Sequence, residues 1–153
     1  KSGEVNGKGI STYPNGMVYD GNFENGKIHG YGLMSFGNSY LYEGMWKDGE
    51  RHGVGKVKYR DGTTYEGDFE GGQRSGKGVM KMQDGFEYSG QWLSGEMHGT
   101  GIAKYANGDI YKGNFFAGRR QGQGTMTYYT GTVTGGIWTE GALESDESSI
   151  VND

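Results

Sequence analysis

The sequence predicts an all-β protein: a single-layer, elongated, twisted antiparallel sheet of consecutive β-hairpins, shaped as a trough. Three observations carry that expectation. Glycine supplies 33 of the 153 residues, about 22% against a usual share of roughly 7%. A pattern of aromatics and glycines returns every 23 residues. Within each period, apolar and polar residues alternate with the period of two that sends successive side chains to opposite faces of a strand.

Composition excludes the competing classes. Leu, Ile, Val and Phe total 23, a level at which disorder competes with folding. Net charge is only −4 and aromatics reach 14%, so the other half of the disorder signature is missing. Glycine does not fall at every third residue and Pro14 is the one proline, which excludes collagen. The length suits one domain. Absence of cysteine excludes a disulfide framework and fits a reducing compartment. Apolar runs of two or three residues cannot form a membrane-spanning helix, and Lys1 to Ile10 lacks the pattern of a signal peptide. The expected location is cytoplasmic, or the inner side of a membrane or organelle, and not secreted. The negative net charge argues against nucleic acid as a partner.

The elements follow from the repeat. Tyr19-Asp-Gly21-Asn-Phe23 recurs at a step of 23 as Tyr42-Glu-Gly44-Met-Trp46, Tyr65-Glu-Gly67-Asp-Phe69, Tyr88-Ser-Gly90-Gln-Trp92 and Tyr111-Lys-Gly113-Asn-Phe115. Thr134-Gly-Gly136-Ile-Trp138 is a partial copy without the tyrosine. Each complete copy continues with a glycine (Gly26, Gly49, Gly72, Gly95, Gly118) and a Gly-x-Gly, preceded by His29, His52 or His98 in three copies. The chain begins in mid-repeat and without Met, as a module of a larger protein would.

The combination Tyr-x-Gly-x-Trp/Phe-x-x-Gly-x-x-His-Gly-x-Gly resembles the MORN (membrane occupation and recognition nexus) repeat. The match spans residues 3–141, as five complete copies with a half copy at each end. Residues 142–153 form an acidic, serine-rich tail, expected to be flexible or to cap the last strand as a short helix. The resemblance implies an all-β array of one hairpin per repeat. It also implies an interaction or membrane-associated scaffold, alone or joined to catalytic domains.

The residues support that geometry independently. Asn15-Gly16, Asp61-Gly62, Asp84-Gly85 and Asn107-Gly108 mark turns with glycine in the left-handed conformation. Pairing Tyr59 with Tyr65 across such a turn extends to Tyr13/Tyr19, Phe36/Tyr42 and Tyr105/Tyr111, and to Lys58 opposite Glu66 and Lys104 opposite Lys112. About twelve strands result, enough that the sheet should twist and curl.

Sorting the columns by face yields three candidate sites. The first is a partner-binding trough of Tyr13, Phe36, Tyr42, Tyr59, Tyr65, Tyr88, Tyr105, Tyr111 and Tyr128, with the Trp/Phe column as core and glycines leaving bare backbone beneath the rings. The second is a C-terminal apolar patch on the otherwise polar face: Leu93, Ile102, Ile110, Phe116 and Ile137. Either the tail, through Leu143, Ile150 and Val151, or an external partner would cover it. The third is an anion or lipid track of Lys58, Lys81, Lys104, Lys112, Arg119 and Arg120. His29 and His52, two strands apart at about 10 Å, cannot share a metal and read as turn hydrogen-bonders. No nucleophile–base–orienter set is present, and no cofactor or metal is expected. The function expected is a non-catalytic scaffold gripping a partner peptide or helix. Self-association, acidic phospholipid and a regulatory role within a larger enzyme are the alternatives.

Overall fold

A computed structural model describes residues 4–146. Thirteen antiparallel strands form one open sheet, each strand paired only with its neighbours in sequence. They are β1 (Gly7–Thr12), β2 (Val18–Glu24), β3 (Lys27–Phe36), β4 (Tyr40–Lys47), β5 (Glu50–Tyr59), β6 (Thr64–Glu70) and β7 (Gln73–Lys81). There follow β8 (Glu87–Leu93), β9 (Glu96–Lys104), β10 (Ile110–Phe116), β11 (Arg119–Thr127), β12 (Val133–Thr139) and β13 (Ala142–Asp146). β13 is one strand more than the repeat count predicts. Residues 142–146, expected to belong to the tail, pair with β12 and put Leu143 opposite Trp138. The remainder of the tail lies outside the described residues.

Two turn types alternate along the sheet. At one edge, Asn25-Gly26, Asp48-Gly49, Gly71-Gly72, Ser94-Gly95, Ala117-Gly118 and Glu140-Gly141 all have positive φ at both positions. This is the type I′ geometry, whose twist matches that of a two-residue hairpin. These turns also bond to one another's repeats, as when the Gly49 N–H donates to the Ile28 carbonyl (2.8 Å). At the other edge sit three-residue turns closed as at Gly62 N–H to the Tyr59 carbonyl (3.0 Å), with Gly62 at φ 89°.

The three-residue turn sets a register that differs from the expected one by two residues. Tyr59 closes onto Thr63, so Tyr65 stands opposite Val57 and Lys56 opposite Glu66. Likewise Tyr19 faces Ser11, Tyr42 faces Met34, Tyr111 faces Ala103 and Lys112 faces Ile102. A five-residue loop would have been needed for the Tyr59/Tyr65 pair. The glycine's left-handed conformation instead closes the turn at once, as in type I turns with a bulge. Because the shift is two residues, every side chain keeps its face.

One glycine from each of β1 to β12 meets its neighbour directly across the sheet, so that Gly44, Gly55, Gly67, Gly78, Gly90 and Gly101 lie in one line. Register shifts recur beside it, as between Gly44 and Trp46. The first glycine of each Gly-x-Gly has positive φ there, Gly53 at 69° and Gly99 at 67°. These bulges bend the sheet. The glycine line lies beneath the tyrosine rings, as the sequence suggests, whereas the first glycine of each Gly-x-Gly forms the bulge instead.

The bend closes the aromatic face on itself. Phe23, Tyr19, Trp46, Tyr42, Phe69, Tyr65, Trp92, Tyr88, Phe115, Tyr111 and Trp138 form an unbroken run of edge-to-face contacts, with centroids 4.9–5.7 Å apart. Such pairs add about 0.5–1.5 kcal/mol each beyond area burial. Each tyrosine lies across the glycine line and donates its hydroxyl to a carbonyl three residues on, as Tyr65 does to Asp68 (2.9 Å). The tryptophans donate Nε1–H to the carbonyls of Gly32, Gly78 and Gly124 (3.0–3.1 Å). A one-layer sheet thereby acquires a satisfied core without a second layer.

Candidate functional site

Rings at the centre of the aromatic face are closed off. Tyr42, Tyr65, Tyr88 and Tyr111 are at most 1% exposed, which corrects their assignment to a partner-binding trough. Rings from the next strand and the bend itself cover them. Three arginines complete the cover. Arg51 stacks on Phe69 (5.1 Å), Arg74 on Trp92 (4.9 Å) and Arg120 on Trp138 (4.9 Å). Each also donates to a carbonyl of the following turn, Gly72, Gly95 or Gly141. Guanidinium planes suit this double role where an ammonium would not. Ile28, Arg51, Arg74, Met97 and Arg120 share one column of the 23-residue frame, so the signal was present but its proximity to the rings was not.

Other members of the predicted trough remain reachable. Tyr13, Phe36, Tyr59, Tyr105 and Tyr128 stand one per repeat beside the three-residue turns, with Met82 completing the column. Phe36 is 42% exposed and Met82 40%, and the tyrosines are half-buried. They pack against residues across the neighbouring turn, Tyr59 against Tyr40 (6.2 Å) and Tyr105 against Phe86 (5.5 Å). Tyr40 and Tyr105 hydroxyls accept from Arg51 and Arg120 (3.1 Å each). The arrangement is a row of ring edges with polar tips, backed by a rigid core.

At the type I′ edge, His29 accepts the Asp48 N–H at Nδ1 (3.2 Å). Asn6 and Gln121 do the same for Asn25 and Glu140 (3.0 and 2.8 Å). The column therefore serves the turns, as the sequence suggested for the histidines. Among the described residues, no group of three or more His, Asp or Glu side chains could hold a metal ion.

The MORN repeat family matches the chain at residues 1–18, 19–39, 42–64, 65–86, 88–110 and 111–133.

The chain belongs to the MORN repeat family.

No curated protein gives a match. Among solved structures, this MORN array is similar to the TCP domain of SAS-4 (dCPAP) of Drosophila melanogaster, solved in complex with a proline-rich motif of Ana2 (dSTIL). That alignment has a TM-score of 0.53 and 15% identity, covering 85% of this chain and 72% of that one. The wild-type TCP10 domain of Danio rerio CPAP aligns at 16% identity over 90% of this chain and 70% of that one, with a TM-score of 0.35. The first likeness is one of fold.

The other two predicted sites of the MORN array come apart. In the apolar patch, Leu93 (53% exposed) and Phe116 (58%) lie at the type I′ edge, where Phe116 meets His98 (5.5 Å). Ile110 is at the far end of the same strand, roughly 20 Å away at about 3.3 Å per residue. Ile102 stands opposite Lys112 and Ile137 opposite Gln123. The five form no contiguous patch. Leu143 packs with the aromatic core and so covers none of them, while Ile150 and Val151 lie outside the described residues. Ile102 joins Val54 and Val79 in a depression of about 870 Å³ on the non-aromatic face. Tyr31 and Met45, directly paired, are 50% and 42% exposed on that same face. The face is therefore not the uniformly polar one that alternation alone suggests for the early repeats.

Most of the anion track is already engaged. Lys81 and Lys104 both pair with Glu87 (3.6 and 3.9 Å), and Arg119 pairs with Glu140 (3.3 Å). Arg120 is committed to Trp138 and Tyr105. Lys58 and Lys112 are exposed, while Lys81 and Lys104 flank the Glu87 carboxylate that they share.

Proposed function

We propose that the array is a non-catalytic scaffold that holds a segment of another protein across the outer row of Tyr13, Phe36, Tyr59, Tyr105 and Tyr128. One observation carries the reading. The aromatic face buries its central rings completely, yet keeps one partly exposed ring per repeat at a fixed column in five of six repeats. Rings with hydroxyl tips offer contact area and a hydrogen bond at small entropic cost. The rigid core behind them spares a partner the cost of ordering the surface. That a domain of similar fold was solved with a proline-rich motif of another protein supports a protein segment as the occupant.

The test is a pull-down compared between the unaltered chain and Tyr59→Ala/Tyr105→Ala. Partners retained by the first and lost by the second support the row; unchanged capture removes it. An acidic phospholipid surface is the weaker reading, since three of its six cations already pair with Glu87 or Glu140. Sedimentation with vesicles that is indifferent to anionic lipid disposes of it.

A further inference from the structure

We infer that the segment held by the outer row is a left-handed polyproline II helix, anchored at Arg74 where Thr63 and Met82 interrupt the rings. The inference rests on the scaffold reading above and names its ligand class.

Spacing decides among backbone conformations. Equivalent residues of consecutive repeats are two strands apart, about 9.6 Å at ~4.8 Å per strand. A polyproline II helix makes one turn in three residues at ~3.1 Å each, about 9.3 Å. Every third residue of such a ligand therefore meets the next repeat in the same orientation, with under 1 Å of accumulated mismatch over three repeats. An α-helix advances ~1.5 Å per residue, so 9.6 Å spans about 6.4 residues and turns its contact face by roughly 80° per repeat. An extended strand covers the step in about three residues and so presents alternate faces. Only the three-fold helix keeps phase.

The chemistry of the row fits the same ligand. Polyproline II has no internal hydrogen bonds, leaving its carbonyls in need of donors. Ring edges with hydroxyl tips provide stacking surface and donors together. At the middle of the row this supply changes character. Tyr40 stands beside Arg51, and Tyr105 beside Arg120, each taking a guanidinium hydrogen bond (3.1 Å). In the corresponding places Arg74 has Thr63 and Tyr59, and its hydrogen bond among the described residues goes to the Gly95 carbonyl (2.7 Å). Beside it lies a notch of about 610 Å³, lined by Ser39, Tyr59, Thr63, Met80 and Met82. A guanidinium presents five donors, so Arg74 keeps an edge for a ligand carbonyl while Tyr59 and Tyr105, on either side, take the pyrrolidine rings.

The test is binding of synthetic peptides to the full chain, read by NMR shift changes of the tyrosine rings and by fluorescence anisotropy. The probe is a proline-rich peptide of about ten residues, roughly three polyproline II turns, with a Gly/Ser peptide of equal length as reference. We expect saturable binding of the first, at least tenfold tighter than the second. Tyr59→Ala should weaken it at least tenfold. Thr63→Tyr, which gives Arg74 the partner that Arg51 has in Tyr40, should do the same while keeping the circular dichroism spectrum and thermal midpoint. Equal binding of both peptides, or indifference to both substitutions, overturns the inference. If proline peptides are inert while a partner protein is still captured through Tyr59 and Tyr105, the polyproline inference falls and the scaffold reading stands. If that capture is also absent, both fall.

Discussion

Gly78 lies beneath the Tyr65 ring so closely that a Cβ added there would sit 2.1 Å from the tyrosine oxygen and 2.4 Å from Cζ. The same relationship joins Tyr19 to Gly32, Tyr42 to Gly55, Tyr88 to Gly101 and Tyr111 to Gly124. It makes the glycine line and the tyrosine column one structural device. The ring reaches its carbonyl acceptor because nothing stands between it and the backbone.

Gly78→Ala should therefore cost about 3 kcal/mol or more, the upper end for overpacking a filled core. Gly118→Ala is the contrast. Its φ is +83° but a Cβ there meets open space, so only the left-handed strain of about 1–2 kcal/mol applies. Urea unfolding of both variants measures the difference. Equal losses would show that conformation, not contact, sets the glycine requirement along the line.

Ala117 occupies the first position of a type I′ turn at φ 51°, where the first turn of this type has Asn25 at 52°. Asparagine tolerates this region through local hydrogen bonding and alanine does not. Ala117→Asn is expected to stabilise by about 0.5–1 kcal/mol, part of that strain. The readout is the shift in the denaturation midpoint at constant slope.

Burial pushes the Tyr19 and Tyr88 phenols up to about 12 from an ordinary 10.0. It raises Tyr42, Tyr65 and Tyr111 as well. A folded-state value above the unfolded one means that the neutral ring favours the fold. This contribution is complete below pH 10 and is lost as pH climbs through about 12. Alkaline titration should show a cooperative rise in tyrosinate absorbance coincident with loss of the circular dichroism signal. A single smooth titration near the free value would contradict the buried core.

Arg120→Lys should destabilise by about 1 kcal/mol and Arg120→Ala by about 2 kcal/mol. The loss combines a partly desolvated cation–π contact with hydrogen bonds to the Gly141 carbonyl and Tyr105 hydroxyl. Vesicle binding, if measurable, should be unaffected in the folded lysine variant. A lysine variant as stable as the original would show that charge alone matters at this column.

Much of this was legible in the chain before folding. The 23-residue frame fixes the count of hairpins to within one strand. It also fixes the placement of glycine at the turns and the division of columns between faces. These are local properties: a turn needs a left-handed residue, and a strand alternates every second residue. His29 as a turn acceptor follows from the same frame.

Register and exposure were not legible, for two physical reasons. A slip of two residues leaves every side chain on its own face, so alternation cannot distinguish Tyr65 opposite Tyr59 from Tyr65 opposite Val57. Burial depends on how far the sheet bends, which the positive φ of Gly30, Gly53, Gly76, Gly99 and Gly122 sets. That bend turns Tyr42, Tyr65, Tyr88 and Tyr111 from a surface into a core. It brings Arg51, Arg74 and Arg120 over the rings and leaves Tyr59 and Tyr105 at the rim. Strand alternation alone settles which residues share a face. Which of them that face still shows depends on the folded sheet, because a bend brings together columns that are far apart along the strand.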